Sequence, residues 1–204
     1  QNQSYPKLEA AIARSYAEKT KSTNKNALYD SYIKAFRWAT DRLEGGKGIV
    51  AFISNAGWLD ASAMDGFRAS LQEEFDSIYV FNLRGNCRTS GELRKKESGN
   101  VFGLGSRTPI AITILVRGGK SLTQSSQSPQ SMEAETSRTS RELKKPARIF
   151  YRDIGDYLSR EKKLEIVKEM RSMLDEKMEL VEIHPNAKND WINQRDGLFD
   201  TLIP

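Results

Sequence analysis

With 204 residues, 38% of them hydrophobic, the chain is long enough for one core, or one domain with appendages, and too short for two comfortable domains. A single cysteine, Cys87, excludes an internal disulfide, one histidine without a Cys/His cluster excludes a structural zinc site, and no apolar run nears the roughly 18 residues that cross a bilayer. The net charge of +5 leans towards polyanions, and the sum of these features describes a reducing, cytoplasmic protein with no membrane role.

The chain opens on Gln1, which reads as the start of a piece of something larger. Leu8, Ile12, Ala13, Tyr16 and Ala17 fall at helical spacing behind Pro6, predicting an amphipathic helix over 7–19. After a polar break, Asn26 caps a second helix over 27–43, in which Leu28, Tyr32, Phe36, Ala39 and Leu43 form one stripe. The aromatics Tyr29, Tyr32, Phe36 and Trp38 read as core at this spacing, in preference to a base-stacking surface. Gly45 and Gly46 stop that helix.

Ile49-Val-Ala-Phe-Ile53 is a bounded apolar run with helical patterns on either side, the signature of a strand covered on both faces. An α/β domain with a mainly parallel sheet follows, and such sheets bind ligands outside the carboxyl ends of their strands. Here that edge is Ser54, Asn55 and Trp58, with helix capping by Ser54 and Asn55 as the competing reading. A third helix over 61–75 carries Met64, Phe67, Leu71 and Phe75 on one face, and a second strand follows at 78–83.

Residues 84–107 break the pattern with five glycines and six basic side chains against two acidic ones, most of the chain's positive excess. A loop of that length inside a compact domain is functional or disordered. Strands at 110–117 and 148–152 bracket a Ser/Gln/Thr/Glu-rich stretch, 118–147, with too little apolar content to bury, which reads as a flexible insertion. Ser159 caps a helix to 174 carrying Leu164, Ile166, Val167, Met170 and Leu174, and His184 before Pro185 reads as a surface turn residue. Trp191, Phe199, Leu202 and Ile203 make the tail more apolar than a free terminus needs, as if it packed on a following domain.

Four blocks, Asn24-Lys-Asn-Ala-Leu-Tyr-Asp30, Ile53-Ser-Asn-Ala-Gly-Trp-Leu-Asp60, Tyr79-Val-Phe-Asn-Leu-Arg-Gly-Asn86 and Gly105-Ser-Arg-Thr-Pro-Ile-Ala-Ile112, are specific in combination. Together with Phe150-Tyr-Arg-Asp-Ile-Gly-Asp156 and Asp190-Trp-Ile-Asn-Gln-Arg195, they resemble the methyltransferase region of single-chain type ISP restriction-modification enzymes, which join a helicase-like motor to an adenine-N6 DNA methyltransferase. The resemblance covers essentially the whole chain and departs from the family most clearly at the insertion around 121–141.

It implies an α/β fold, the C-terminal half of a Rossmann-like class I methyltransferase sheet flanked by helices, with 1–117 as core, 118–147 as insertion and 148–204 as last edge strand, helix and connection to a target-recognition domain. The family's glycine-rich S-adenosylmethionine loop and its Asn-Pro-Pro-Tyr catalytic motif precede this segment, and neither occurs in the sequence. The resemblance therefore places S-adenosylmethionine in the parent enzyme, held mainly by residues upstream, with none expected for the chain alone and no catalytic residue in it. The implied partners are double-stranded DNA with a flipped adenine and other domains of the same polypeptide. Arg84, Arg88 and Arg107, nearest the strand ends, are the expected phosphate contacts. Phe102 matches the position of an aromatic that stacks on the extruded adenine, with a local loop anchor as the competing reading. A DNA-binding or helicase-associated module without methyl transfer, and a plain interaction domain, are the alternatives in function.

Overall fold

The computed structural model describes residues 4–118 and 145–195. Pro6 begins α1 (Pro6–Ile12), whose missing N–H costs nothing in a first turn, and the helix widens into a π-turn over Ala13–Ala17 that buries Tyr16 and Ala17. The expected second helix is interrupted. A 3-10 turn over Asn26–Tyr29 ends at Asp30, whose extended backbone starts α2 (Ser31–Arg42) afresh, and Asn24 instead of Asn26 supplies the polar side chain at the entry. Of its aromatics, Phe36 is core and Tyr29 and Tyr32 pack on the core's flank, whereas Trp38 is exposed with Arg42 over its ring. Gly45, at φ +76, terminates the helix as expected.

Five strands form one open sheet, flanked by helices: β1 (Gly48–Asn55), β2 (Ser77–Arg84), β3 (Ile110–Arg117), β4 (Arg148–Asp153) and β5 (Val181–Ile183). Their order is β1-β3-β2-β4-β5. β3 lies between β1 and β2 and runs antiparallel to both, and only β2 and β4 pair in parallel. The expectation of a mainly parallel sheet is thus corrected to a mixed one. β1, β2 and β4 still point the same way, so their carboxyl ends share an edge.

A second correction concerns β1. It is an edge strand, and only one of its faces is covered: Val50 and Phe52 pack under α2, while Ile49 and Ile53 remain 63% and 61% exposed. β4 is likewise not the edge, because the short β5 pairs outside it. The expectation of a flexible insertion over 118–147 falls almost wholly on 119–144, outside the described residues.

The main core lies between the sheet and α1, α2 and α3 (Asp65–Glu74), where Met64, Phe67, Leu71 and Phe75 are buried as their spacing predicts. Packing there is close enough that a Cβ on Gly66 would stand 2.1 Å from the Tyr16 carbonyl oxygen, so only glycine lets α3 approach the π-turn. On the other face a smaller core of Phe81, Leu83, Val101 and Ile154 sits beneath α5 (Arg160–Glu169). Ser159 caps α5 as expected, its hydroxyl accepting from the Lys162 N–H at 3.2 Å. The helix ends at Glu169, short of 174; Ile166, Val167 and Met170 of the predicted stripe pack on the smaller core, whereas Leu164 is exposed and Lys163 is buried in its place.

The tail returns to the main core. Trp191 is buried edge-on to Trp58 at 5.3 Å, which corrects the expectation that it packs on a following domain; Phe199, Leu202 and Ile203 lie outside the described residues. What draws the tail in is Arg68 on α3, fully buried, which donates to the carbonyls of Trp58 and Ala61 at 2.8 Å each and of Asn189 at 2.5 Å, and pairs with Asp190 at 3.2 Å. Among the described residues no helix is long and apolar enough to cross a membrane.

Candidate nucleic-acid interface

The carboxyl ends of β1, β2 and β4 open on a cleft of about 650 Å³, closed on one side by Thr108 and Pro109 ahead of β3 and on another by Ile192 and Asn193 of the returning tail. Asn55 lines it while its Oδ1 accepts the Gly57 N–H at 2.8 Å in a local turn; the cap position of the 3-10 turn that follows, Gly57–Leu59, is Ala56. Ser54 does not reach the cleft, and Trp58 is fully buried among Phe36, Phe67 and Trp191. Trp58 therefore belongs to the core: a large aromatic just past a strand end turns inward where apolar helices cover that end.

Arg84 sits at the end of β2, where the register shifts by one residue and the backbone turns to φ +55. The bulge is held by Asn82 Oδ1, which accepts the Arg84 N–H at 2.9 Å, and it aims the guanidinium across the cleft floor. There it meets Asp153 at 2.7 Å, Asp156 at 2.6 Å and Glu97 at 4.0 Å. Burial alone would lower its pKa, but the hydrogen bond it donates to Asp153 and the charges of the three carboxylates outweigh this and hold it above the ordinary arginine value. A cation already matched by three anions has little left for a phosphate, so Arg84 organises the cleft floor. Arg88 also lines the cleft, exposed and with no ion pair among the described residues, while Arg107 stands exposed and unpaired on the far side of the loop.

The charge of the cleft follows. Arg84, Arg88 and Lys96 face Asp60, Glu97, Asp153 and Asp156, so cations do not exceed carboxylates there. Asparagine amides at 55, 82, 86 and 193 add neutral donors and acceptors, and Tyr151 offers an aromatic wall with its hydroxyl between Asn82 and Asp153. Such a lining suits a neutral, hydrogen-bonding ligand better than a polyanion.

The 84–107 loop is built, not loose. It contains a short helix, α4 (Gly91–Lys96), absent from the sequence expectation. Glu97 accepts the Gly85 and Asn86 N–H groups at 2.9 and 3.0 Å, and buried Asn100 donates to the Gly85 and Thr108 carbonyls at 2.9 and 2.8 Å while accepting the Phe102 N–H at 3.0 Å. Lys163 reaches up from α5 to the Leu83 carbonyl at 2.9 Å; burial pulls its pKa below the usual lysine value, opposed by Glu97. With Asn100 and Val101 anchoring the loop, Phe102 is left 60% exposed at its crest, which removes the local-anchor reading of that ring. Sequence reasoning missed Asn100, Lys163 and Arg68, all polar residues whose burial no spacing reveals.

Replacing Asn100 by alanine removes its hydrogen bonds to the Gly85 and Thr108 carbonyls, the Ser106 hydroxyl and the Phe102 N–H, a loss of about 1–3 kcal/mol for each group left without a partner. The expected result is rapid proteolytic cleavage within 85–107 while the main core, which Asn100 does not touch, melts only slightly earlier. Unchanged resistance to protease would show that the loop is held by something else.

The fold and cleft define an open-sheet α/β domain with a cleft at the carboxyl ends of three codirectional strands. Over 98% of its length the chain is similar to a segment of a nuclease-deletion mutant of the type ISP restriction-modification enzyme LlaGI in complex with a DNA substrate mimic, at 40% identity and a TM-score of 0.81. The ATP-dependent type ISP enzyme LlaBIII bound to DNA matches 98% of the chain at 37% identity and TM-score 0.81, and DrdV in a DNA complex matches 96% at 33% and 0.77. The resemblance to type ISP restriction-modification enzymes is thus borne out by the first two, over a segment of them; the chain spans 17% and 12% of those chains and 16% of DrdV. No family model and no curated protein matches the sequence.

Proposed function

We propose that this chain is the second half of a DNA adenine-N6 methyltransferase region in a type ISP restriction-modification enzyme, completing its Rossmann-like sheet and forming part of the wall that receives DNA and the flipped adenine. The observation that carries this reading is the match of nearly the whole chain, at 40% identity, to a segment of a type ISP enzyme held on a DNA substrate mimic. Two features of the fold support it. Among the described residues the outer edge of β1 is unpaired, free to take a further strand, and Ile49 and Ile53 leave one of its faces open to be covered. The cleft at the strand ends offers amides and an aromatic wall to a base, and Phe102 stands exposed for stacking.

S-adenosylmethionine belongs to this reading as the methyl donor, yet the residues present do not make a site for it. No glycine-rich turn leads a described strand into a helix, and the cleft's Asn55 and Asp153 side chains are engaged with Gly57 and Arg84. The donor is assigned to residues upstream of this segment in the parent enzyme, and no catalytic step is assigned to the chain itself.

The expected result is a separation of two activities. Calorimetric titration of S-adenosylmethionine into the 204-residue chain should give no micromolar binding, whereas a short DNA duplex should bind with an affinity that falls linearly in log salt. Micromolar donor binding would overturn the assignment of that site to other residues, and absence of any salt-dependent duplex binding would favour an interaction domain instead.

A further inference from the structure

On the far side of the 84–107 loop from the cleft lies a second concavity of about 600 Å³, lined by Arg94, Arg107 and Arg160 with Cys87, Ser106 and Gly103 between them. We infer that this socket, and not the cleft, seizes a backbone phosphate of the DNA strand that the loop approaches; the inference rests on the DNA reading above and assigns the contact within it.

Three observations carry it. The first is charge: the socket has three guanidiniums and no carboxylate in its lining, whereas the cleft has at least as many carboxylates as cations. The second is that these guanidiniums are not used up. Arg94 is half-buried and Arg107 exposed, and neither makes an ion pair among the described residues. Arg160 gives its Nε–H to the Val101 carbonyl at 3.1 Å, and its nearest carboxylate, Glu161 outside the lining, is 4.0 Å away. A half-buried guanidinium left without an anion has lost part of its water and gains most when an anion arrives, which makes Arg94 unlike the paired Arg37, Arg68 and Arg84.

The third is preorganisation. The three arginines come from α4, from the end of the loop and from the first residue of α5, and the backbone between them is fixed. A Cβ on Gly99 would stand 2.4–2.5 Å from backbone atoms of Leu158, Ser159 and Arg160, so the loop is seated directly on the start of α5. Asn100 and the Cys87 N–H, which donates to the Arg107 carbonyl at 2.9 Å, tie its two limbs together. Arginines held on fixed backbone lose little freedom on binding, and guanidinium is the side chain suited to phosphate oxygens.

The chain's single cysteine reports on the socket, since Cys87 is half-buried within its lining. Alkylation of Cys87 in the 204-residue chain by iodoacetamide, a neutral reagent that does not itself compete for an anion site, is measured with and without a saturating duplex of about twelve base pairs. The expected result is several-fold slower labelling with duplex, restored at high salt. The double variant Arg94→Gln/Arg107→Gln, which breaks no ion pair and should leave the melting temperature unchanged, should lose this protection and reduce the salt slope of duplex binding by about 1, the value for one phosphate. If wild type binds duplex while Cys87 labels at its free rate, or if the double variant keeps the full salt slope, the socket is overturned and DNA binding stands. If wild type binds no duplex at all, the DNA reading fails and the socket with it.

Discussion

Arg68→Met should cost about 3–5 kcal/mol of stability, the range for breaking a buried charged network by removing one partner. The volume change is small, so the loss comes from polar groups. The carbonyls of Trp58 and Asn189 are left without a donor and that of Ala61 keeps only the Met64 N–H, each having accepted a charge-assisted hydrogen bond. Asp190 keeps Arg195 at 2.8 Å and Asn186 at 3.2 Å, which limits the damage on its side. Because Arg68 joins α3, the turn after β1 and the tail, its removal should also free Trp191 from its edge contact with Trp58 and withdraw Ile192 and Asn193 from the cleft rim. Urea melts give the stability, and a red shift of tryptophan emission before the main transition reads release of the tail.

The same network sets an acid limit. The hydrogen bond from Arg195, helped by Asn186, holds the Asp190 carboxyl below its ordinary value against the opposing pull of burial. A depressed carboxylate contributes stability that is full above its unfolded pKa of about 3.9 and is lost as the pH falls through its lower folded value. Wild type should therefore weaken at this locus only under strongly acid conditions. Arg68→Met stability within 1 kcal/mol of wild type would mean that the tail is held by Trp191 packing alone.

The parts of this architecture legible in the sequence are those that periodicity encodes. The buried faces of α1, α2 and α3, the cap at Ser159 and four strands follow from spacing and turn chemistry, since each depends on residues within a few positions of one another. The sheet's mixed order was not legible, because an apolar run such as Ile49 to Ile53 looks the same whether its neighbour is parallel, antiparallel or absent. Arg84 was read as a phosphate contact on its charge. Its partners Asp153 and Asp156 stand about seventy positions further on, and only the parallel pairing of β2 with β4 brings them to it. Trp58 failed as a site residue for the converse reason: the aromatic cage that claims it is assembled from α2, α3 and the tail. The basic loop stood out in composition as functional or disordered, but which of its arginines remain without an ion pair among the described residues is a property of the folded chain.

Phe102→Ala, introduced into a complete enzyme that contains this segment, should lower the rate of adenine methylation by roughly 10–100-fold, in line with the 1–3 kcal/mol that stacking on one base is worth. Extruding a base from the duplex costs a few kcal/mol, and an aromatic that covers one face of the ring recovers part of it. The geometry separates this role from a structural one. Phe102 is 60% exposed, outside the packed clusters, and the loop is held by its N–H to Asn100 Oδ1, a backbone contact that alanine retains. The melting temperature should accordingly stay within the small range of a surface substitution. Duplex affinity, set by phosphate contacts at other residues, should change little, so the loss should appear in the catalytic rate and not in the salt slope. Phe102→Trp keeps a stacking face and should recover most of the rate. An alanine variant that methylates at the wild-type rate would remove Phe102 from the adenine's surroundings and leave the cleft wall at Tyr151 as the aromatic available to the base.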